Sequence, residues 1–407
     1  MAVLVIGTLD TKEQEYAFLS ARIRDGGGEV VLVDVGVLGD TSLYPDVPAH
    51  EVAAAGGGDL DRLREAGDRG AALRTMSAGA VAYARRMVAE DRVDGVVALG
   101  GSGGSSIAAA VMAAVPLGMP KLLVSTMAGG DVAAYVGTTD VTLMYSVVDV
   151  AGVNSVSRQV LDNAAAAVLG MAGAYARRRS APPAGDKPIV AASMFGVTTP
   201  AVDAARERLE ELGYEVLVFH ATGSGGRVLE ALVAGGHVDG VLDLTTTELA
   251  DEVVGGVLSA GPDRLTAAGR SGIPQVVSLG ALDMVNFGPR DTVPHRFADR
   301  HLLVHNDTVT LMRTTPEENA EIGGRLGAHL ASATGPTVLV VPRGGFSAID
   351  RPDGPFWDAG AAAVDAVLAR LDGSAVEVVD DARHINDPTL AAEAADRLHE
   401  MIQKGRS

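Results

Sequence analysis

Short apolar runs punctuate the chain at intervals. "AVLVIG" (2–7), "EVVLVDV" (29–35), "KLLVST" (121–126) and "TVLVVP" (337–342) each hold an unbroken apolar stretch of three or more residues. Strands of this composition are expected where both faces of a sheet are covered, because no side of the strand meets water. Between them lie polar turns and segments with helical periodicity, such as "TKEQEYAFLSARIRD" (11–25) and "AVDAARERLEELG" (201–213). The pattern predicts a first helix beginning near residue 12 and a last one over 388–403. Strands alternating with helices of ten or more residues give parallel, doubly wound α/β sheets.

The pattern occurs twice. "VDGVVALGGSGGSS" at 93 has a counterpart in "VDGVLDLTTTELAD" at 238, and "GMPKLLVSTMAGGD" at 118 in "GIPQVVSLGALDMV" at 272. "DVTLMYS" at 140 matches "TVTLMRT" at 308, and the two openings at 2 and 188 correspond in form. Four matches in one order predict two domains related by internal duplication, 1–180 and 188–407. The Arg, Pro and Gly content of "YARRRSAPPAGDKP" (175–188) marks a linker between them.

Composition narrows the functional classes. A formal net charge of −19 disfavours nucleic acid and anionic membrane surfaces as partners. The absence of cysteine excludes disulfides, thiolate nucleophiles and thiolate metal sites. The N-terminus lacks a basic region followed by an apolar one, and the uncharged run at 95–120 is broken by glycines and two prolines. Neither a signal peptide nor a spanning helix is expected, and a cytoplasmic protein is. High apolar content suits a buried subunit interface, so a homodimer or higher homo-oligomer is expected. Lysine is rare, at positions 12, 121, 187 and 404.

In doubly wound sheets ligands bind beyond the carboxyl ends of the strands. The loops there are rich in Gly, Thr, Ser and Asp. "GTLDTK" offers Thr8, Asp10, Thr11 and Lys12, with Lys12 suited to phosphate and Asp10 to a metal ion or ribose. Helix capping is the competing use of Thr8 and Asp10. "GGSGGSS" (Gly100, Gly101, Ser102, Gly103, Gly104, Ser105, Ser106) lets backbone N–H groups approach an anion at a helix N-terminus. It contains no lysine and fits no GxGxxG register, so a charge must come from Lys12 or Lys121. Ser125 and Thr126 end the neighbouring strand. Together these loops predict a phosphate-bearing ligand.

In the second half "TTTE" replaces the glycines, and polar residues gather around it. His220, Thr246, Glu248, His295, His305, Arg343 and His384 are candidate catalytic groups, with His301, Asp283, Asn286, Arg296, Arg300, Ser347 and Asp350 nearby in sequence. "HRFADRH" and "HLLVH" set histidines six and four apart, which leaves a His/Asp metal site open, although no HExxH is present. "GFSAID" has no GxSxG elbow.

"GTLDTK", "LGGSGGSS", "YSVVDVAGVN", "MFGVTTP", "FHATGSGG", "DLTTTE", "GALDMVNFG", "HNDTVTLMRTT" and "HIND" resemble the motifs of uncharacterised protein family 0261. That bacterial and plant family is described as the ATP-binding domain found in the N-terminal region of a tomato mosaic virus resistance protein. The likeness runs from residue 3 to about 400. It implies two Rossmann-like subdomains, ATP with Mg2+ in the first, and dimerisation. Thr8, Asp10, Lys12 and Gly100–Ser106 would form the nucleotide site; Ser105 stands where threonine is expected.

The resulting expectation is a cytoplasmic metabolic protein that binds ATP and Mg2+. It would act as an enzyme of ligase or phosphotransfer type on a small carboxylate or carbonyl substrate between the halves. Two alternatives remain: a nucleotide-sensing or scaffold module without catalysis, and an ATP-independent lyase or transferase using the C-terminal half.

Overall fold

The computed structural model describes residues 1–180, 187–357 and 360–406, which divide into two compact units, Met1–Ala184 and Gly185–Ser407. Each is built on a parallel sheet flanked by helices.

Unit 1 runs β1 (Ala2–Gly7), α1 (Leu9–Asp25), β2 (Glu29–Asp34), α2 (Ala49–Ala55), α3 (Leu60–Ala66), α4 (Arg69–Ala89), β3 (Gly95–Gly100), α5 (Ser102–Ala114), β4 (Lys121–Ser125), α6 (Ala133–Val136), β5 (Thr142–Tyr145) and α7 (Ser155–Ser180). The strands are parallel in the order β2-β1-β3-β4-β5. Side chains alternate across a strand, so β1 serves two cores. Leu4 and Ile6 pack with α2, α4 and α5, while Val3 and Val5 pack with α1 and α7. Strand β3 is buried along its whole length, which explains its unbroken apolar sequence.

Unit 2 runs β6 (Ile189–Met194), α8 (Thr199–Glu211), β7 (Glu215–His220), α9 (Ser224–Ala234), β8 (Gly240–Asp243), α10 (Thr247–Val254), α11 (Ala267–Ser271), β9 (Gln275–Ser278) and β10 (Met284–Phe287). It continues with β11 (Leu302–Asn306), β12 (Val309–Arg313), α12 (Pro316–Ala331), β13 (Thr337–Pro342), α13 (Ala361–Leu371), β14 (Glu377–Asp381) and α14 (Pro388–Arg406). The six-stranded parallel sheet has the order β14-β13-β9-β8-β6-β7. Matched strand for strand, this is the order of unit 1 with one strand added. Thus β6 stands for β1, β7 for β2, β8 for β3 and β9 for β4.

The fourth sequence match does not keep its place. "DVTLMYS" contains β5, a parallel edge strand, whereas "TVTLMRT" contains β12, the centre of a separate antiparallel sheet β10-β12-β11. The fifth position in unit 2 goes to β13, whose six residues are all buried. The expected linker is also shorter at its start. Tyr175–Ser180 completes α7, where the arginines complement the helix C-terminus and Arg179 pairs with Asp91 (2.7 Å) and Asp94 (3.0 Å). Residues 181–186 of that stretch lie outside the described residues. Helix α1 begins at Leu9 rather than near 12, with Lys12 out of helical geometry (φ −128°, ψ 32°). Among the described residues, no helix is long and apolar enough to cross a membrane.

Candidate functional site

Strand order in unit 1 reverses between β1 and β3, and the loops leaving their carboxyl ends diverge to opposite faces. A crevice is expected there on topological grounds. A cavity of about 520 Å³ occupies it. Thr8, Asp10, Thr11 and Lys12 line one side, and Gly100, Gly101, Ser102, Gly103 and Gly104 another. Helix α5 starts at Ser102, so Gly103 and Gly104 form its first turn rather than a preceding loop, and its N-cap Gly101 makes no side-chain bond. The first N–H groups of a helix have no partner within it, and their dipole favours an anion. Apolar walls come from Val35, Val37, Leu63, Leu73, Met76 and Ile107.

Tyr16 holds the strand ends together at this point. Its buried hydroxyl lies 2.7 Å from the Ile6 carbonyl and 2.6 Å from that of Leu99, and accepts the Leu99 N–H at 3.0 Å. Burial pushes its phenol pKa well up, so it stays neutral. The ring fits because residue 7 is glycine; a Cβ there would lie 2.0 Å from it.

The charged groups of the cavity are individually placed. Asp10 accepts the Leu38 N–H at 2.6 Å through Oδ2, while its buried Oδ1 has no partner. Asp34, at the end of β2, accepts the N–H groups of Leu9 (3.1 Å) and Gly36 (2.9 Å). Burial raises its pKa, those two bonds lower it, and Asp10 raises it further. Lys12 lines the cavity and donates to the Val150 carbonyl. Lys121 is at the other end of the sheet, where β4 begins. It is buried and donates to the carbonyls of Pro116 (2.7 Å) and Met119 (3.0 Å) and to Asp140 (2.5 Å). It therefore cannot supply charge to the glycine loop. Two arginines that sequence reasoning missed do line the cavity, Arg64 and Arg69. Arg64 donates to the Val37 and Gly39 carbonyls (2.9 and 2.6 Å) and to Asp40 (2.9 Å), which fixes the loop after β2.

Four residues expected in the nucleotide site are not part of this lining, and one of them, Ser106, donates its hydroxyl to the Ser102 carbonyl (2.9 Å). Ser105 and Ser125 are buried and bonded to each other (2.7 Å), and Ser125 accepts the Met127 N–H. Thr126 opens a short 3-10 turn, its hydroxyl 3.7 Å from where a Cβ on Gly101 would stand.

The matching place in unit 2 lies between the ends of β6 and β8, and side chains fill it. Ser193 donates to Asp243 (2.5 Å), Thr198 bonds Thr245 (2.7 Å), and Thr246 donates to the Ser278 carbonyl (3.0 Å). Arg264, fully buried, reaches Asp243 (2.5 Å), Glu248 (2.6 Å) and Glu230 (3.2 Å). Glu248 also accepts the N–H groups of Gly223 (2.7 Å) and Gly226 (3.0 Å). Thr246 and Glu248, expected to face a substrate, thus point their polar atoms into interior bonds.

The remaining candidate catalytic residues are spread over the sheet. His220 ends the edge strand β7, whereas Arg343 and His384 follow β13 and β14, four and five strands across the sheet and so about 19 and about 24 Å away at ordinary strand spacing. His295 is exposed in a 3-10 turn and His305 is exposed on β11. Arg343 is paired with Asp380 (2.8 Å), and His384 bonds the Ser347 carbonyl (3.0 Å) and accepts the Asn386 N–H. Ser347 donates to Asp283 (2.7 Å), whose carboxyl is pushed up to about 7 by burial and by Asp350. Among the described residues, no group of three His, Asp or Glu side chains is placed to hold a metal ion.

Comparison with known proteins agrees with this two-unit architecture. The uncharacterised protein family (UPF0261) N-terminal domain matches residues 1–177 and its C-terminal domain residues 187–402. A UPF0261 protein of Clostridium tetani is 47% identical over 404 residues, covering 99% of both chains. The tomato (Solanum lycopersicum) ToMV susceptible protein tm-1(GCR26) and ToMV resistance protein Tm-1(GCR237) are each 39% identical, across 99% of this chain and 56% of theirs. A Streptomyces glycosyltransferase solved with thymidine diphosphate aligns at 13% identity with a TM-score of 0.17, over 99% of this chain and 96% of that one, a score that carries no argument. With both of its units matched and a full-length bacterial relative at 47% identity, the chain belongs to the UPF0261 family.

Proposed function

We propose that this protein binds ATP with Mg2+ in the cavity of unit 1 and uses it as an enzyme acting on a small carboxylate or carbonyl compound. One observation carries the reading: Thr8, Asp10, Thr11 and Lys12 line a single cavity with Gly100–Gly104, far away in sequence, at the topological switch point. Its volume of about 520 Å³ suits a nucleotide-sized ligand. The apolar wall offers a face to a purine, and the α5 N-terminus offers N–H groups to phosphates. Three cations, Lys12, Arg64 and Arg69, face two carboxylates, Asp10 and Asp68.

The residues fit a magnesium ion carried in by the nucleotide. Asp10 has one buried oxygen without a partner, and Mg2+ on a nucleotide takes one or two carboxylates, with phosphate and water filling the rest. Bound there, it would neutralise charge on the phosphates during phosphoryl or adenylyl transfer. Asp10 would orient the phosphate chain, and Lys12 would exchange the Val150 carbonyl for a phosphate oxygen.

Calorimetric titration of the full chain with ATP, with and without Mg2+, tests the reading. Saturable binding strengthened by Mg2+ is expected, and flat titrations in both conditions would overturn it. Release of phosphate, pyrophosphate or ADP with candidate carboxylates tests the enzymatic part. Binding without turnover would assign the nucleotide a sensing role instead.

A further inference from the structure

We infer that Arg69 is the ligand of the nucleotide's terminal phosphate and supplies the charge that the glycine loop lacks. This rests on the nucleotide reading above and names the part of the site which that reading leaves unassigned. A phosphate-binding loop commonly carries a lysine of its own, but residues 100–106 have none. Of the cations that could substitute, Lys121 is sealed at the far end of the sheet, and Lys12 reaches a phosphate only by giving up the Val150 carbonyl. Arg64 spends its guanidinium on the loop at 37–40.

Arg69 has no such commitment. It lines the cavity and makes no hydrogen bond or ion pair among the described residues. Its Nη2 stands 3.3 Å from where a Cβ on Gly103 would lie, so the guanidinium rests against the first turn of α5 with no side chain between. Gly103 has an ordinary backbone conformation in a helix, where alanine is the better helix former. What glycine provides at 103 is therefore space beside Arg69 rather than a special φ.

The arginine is also held from behind. It is the first residue of the 21-residue helix α4, whose next turns bury Ala72, Met76 and Ala80 in the core. Asp68 caps that helix by accepting the Ala71 N–H at 3.0 Å, which fixes the backbone from which Arg69 departs. A planar guanidinium on a rigid helix end, facing the N-terminus of a second helix, grips two oxygens of one phosphate. The site should accordingly rank ligands by phosphate number, the apolar wall being shared by all of them.

The test is calorimetry of the full chain with ATP, ADP, AMP and adenosine in Mg2+, using the wild type, Arg69→Ala, Arg69→Lys and Gly103→Ala. Arg69→Ala should weaken ATP roughly 10- to 100-fold, as loss of a charged hydrogen bond does, and leave adenosine within about twofold. Arg69→Lys should recover part of the loss, because the charge returns without the fork. Gly103→Ala should weaken ATP with no fall in thermal midpoint. An Arg69→Ala protein that binds ATP like wild type overturns the inference while sparing the nucleotide reading. Equal losses for ATP and AMP overturn the terminal-phosphate assignment, and equal losses for ATP and adenosine assign Arg69 to the fold or the base. A wild type that binds none of the four overturns the nucleotide reading and this inference together.

Discussion

The two units share a strand order and differ in what stands at its reversal. In unit 1 the ends of β1 and β3 open on a cavity floored by Gly100–Gly104. In unit 2 the ends of β6 and β8 close over Ser193, Thr198, Thr245 and the Arg264 ion cluster, and every residue from 240 to 251 is buried. Topology supplies a crevice in both. Side-chain volume and charge decide whether it stays open. Glycines leave backbone N–H groups facing space, whereas threonines, a glutamate and an arginine use the same space to satisfy one another.

The largest expected effect breaks the closed side. Arg264→Met would leave the carboxylates of Asp243 and Glu248 buried with no counter-charge, a loss of about 3–5 kcal/mol. The single tryptophan, Trp357, lies in unit 2, so its fluorescence during urea denaturation reads that unit. An unchanged midpoint would mean that the cluster is incidental to the closure.

Next comes pH. Asp283 and Asp251 are each raised to about 7, chiefly by burial. Between about pH 4 and 7 the folded chain keeps protons that the unfolded chain has released. The stabilisation is complete at the acid end of that window and is lost as pH rises through 7, on the order of a few kcal/mol in all. Unit 2 should therefore unfold at lower urea at pH 8 than at pH 5.5, and Asp283→Asn should reduce the difference. A stability that climbs with pH in both proteins would contradict the burial account.

On the open side, ATP with Mg2+ at a hundredfold excess over Kd should stabilise unit 1 by about 2.7 kcal/mol. Hydrogen exchange at 95–112 should slow, while the Trp357 transition stays put if unit 2 has no nucleotide of its own. The smallest effect concerns the tie between strands. Tyr16→Phe removes a hydroxyl that serves the Ile6 and Leu99 carbonyls and should cost about 1–3 kcal/mol in unit 1 exchange stability, leaving unit 2 untouched.

Much of this architecture was legible in the chain. Runs such as "GVVALG" and "VLVVP" are apolar throughout because β3 and β13 are buried on both faces, and that signal survives without any tertiary knowledge. The apparent repeat of "TVTLM" was not reliable, since a short β-branched run suits a parallel edge and an antiparallel centre equally. Arginines 177–179 suggested a linker by composition, though they finish a helix whose C-terminus favours them.

For the site, glycine spacing pointed to an anion at a helix start because only local backbone is involved. Arg64 and Arg69 are not legible locally because "LDRLREAGDRGAALR" (60–74) reads as two ordinary capped helices, and nothing local tells which strand end they approach. Likewise Lys121 seemed available to the loop, and only the sense of β4 shows it at the far end of the sheet. Local pattern determined the strands, the helices, the doubling and the glycine turn, since those depend on neighbours in sequence. Which charges reach the cavity, and which crevice stays open, depends on residues brought together across the sheet, and that was settled only by the packed structure.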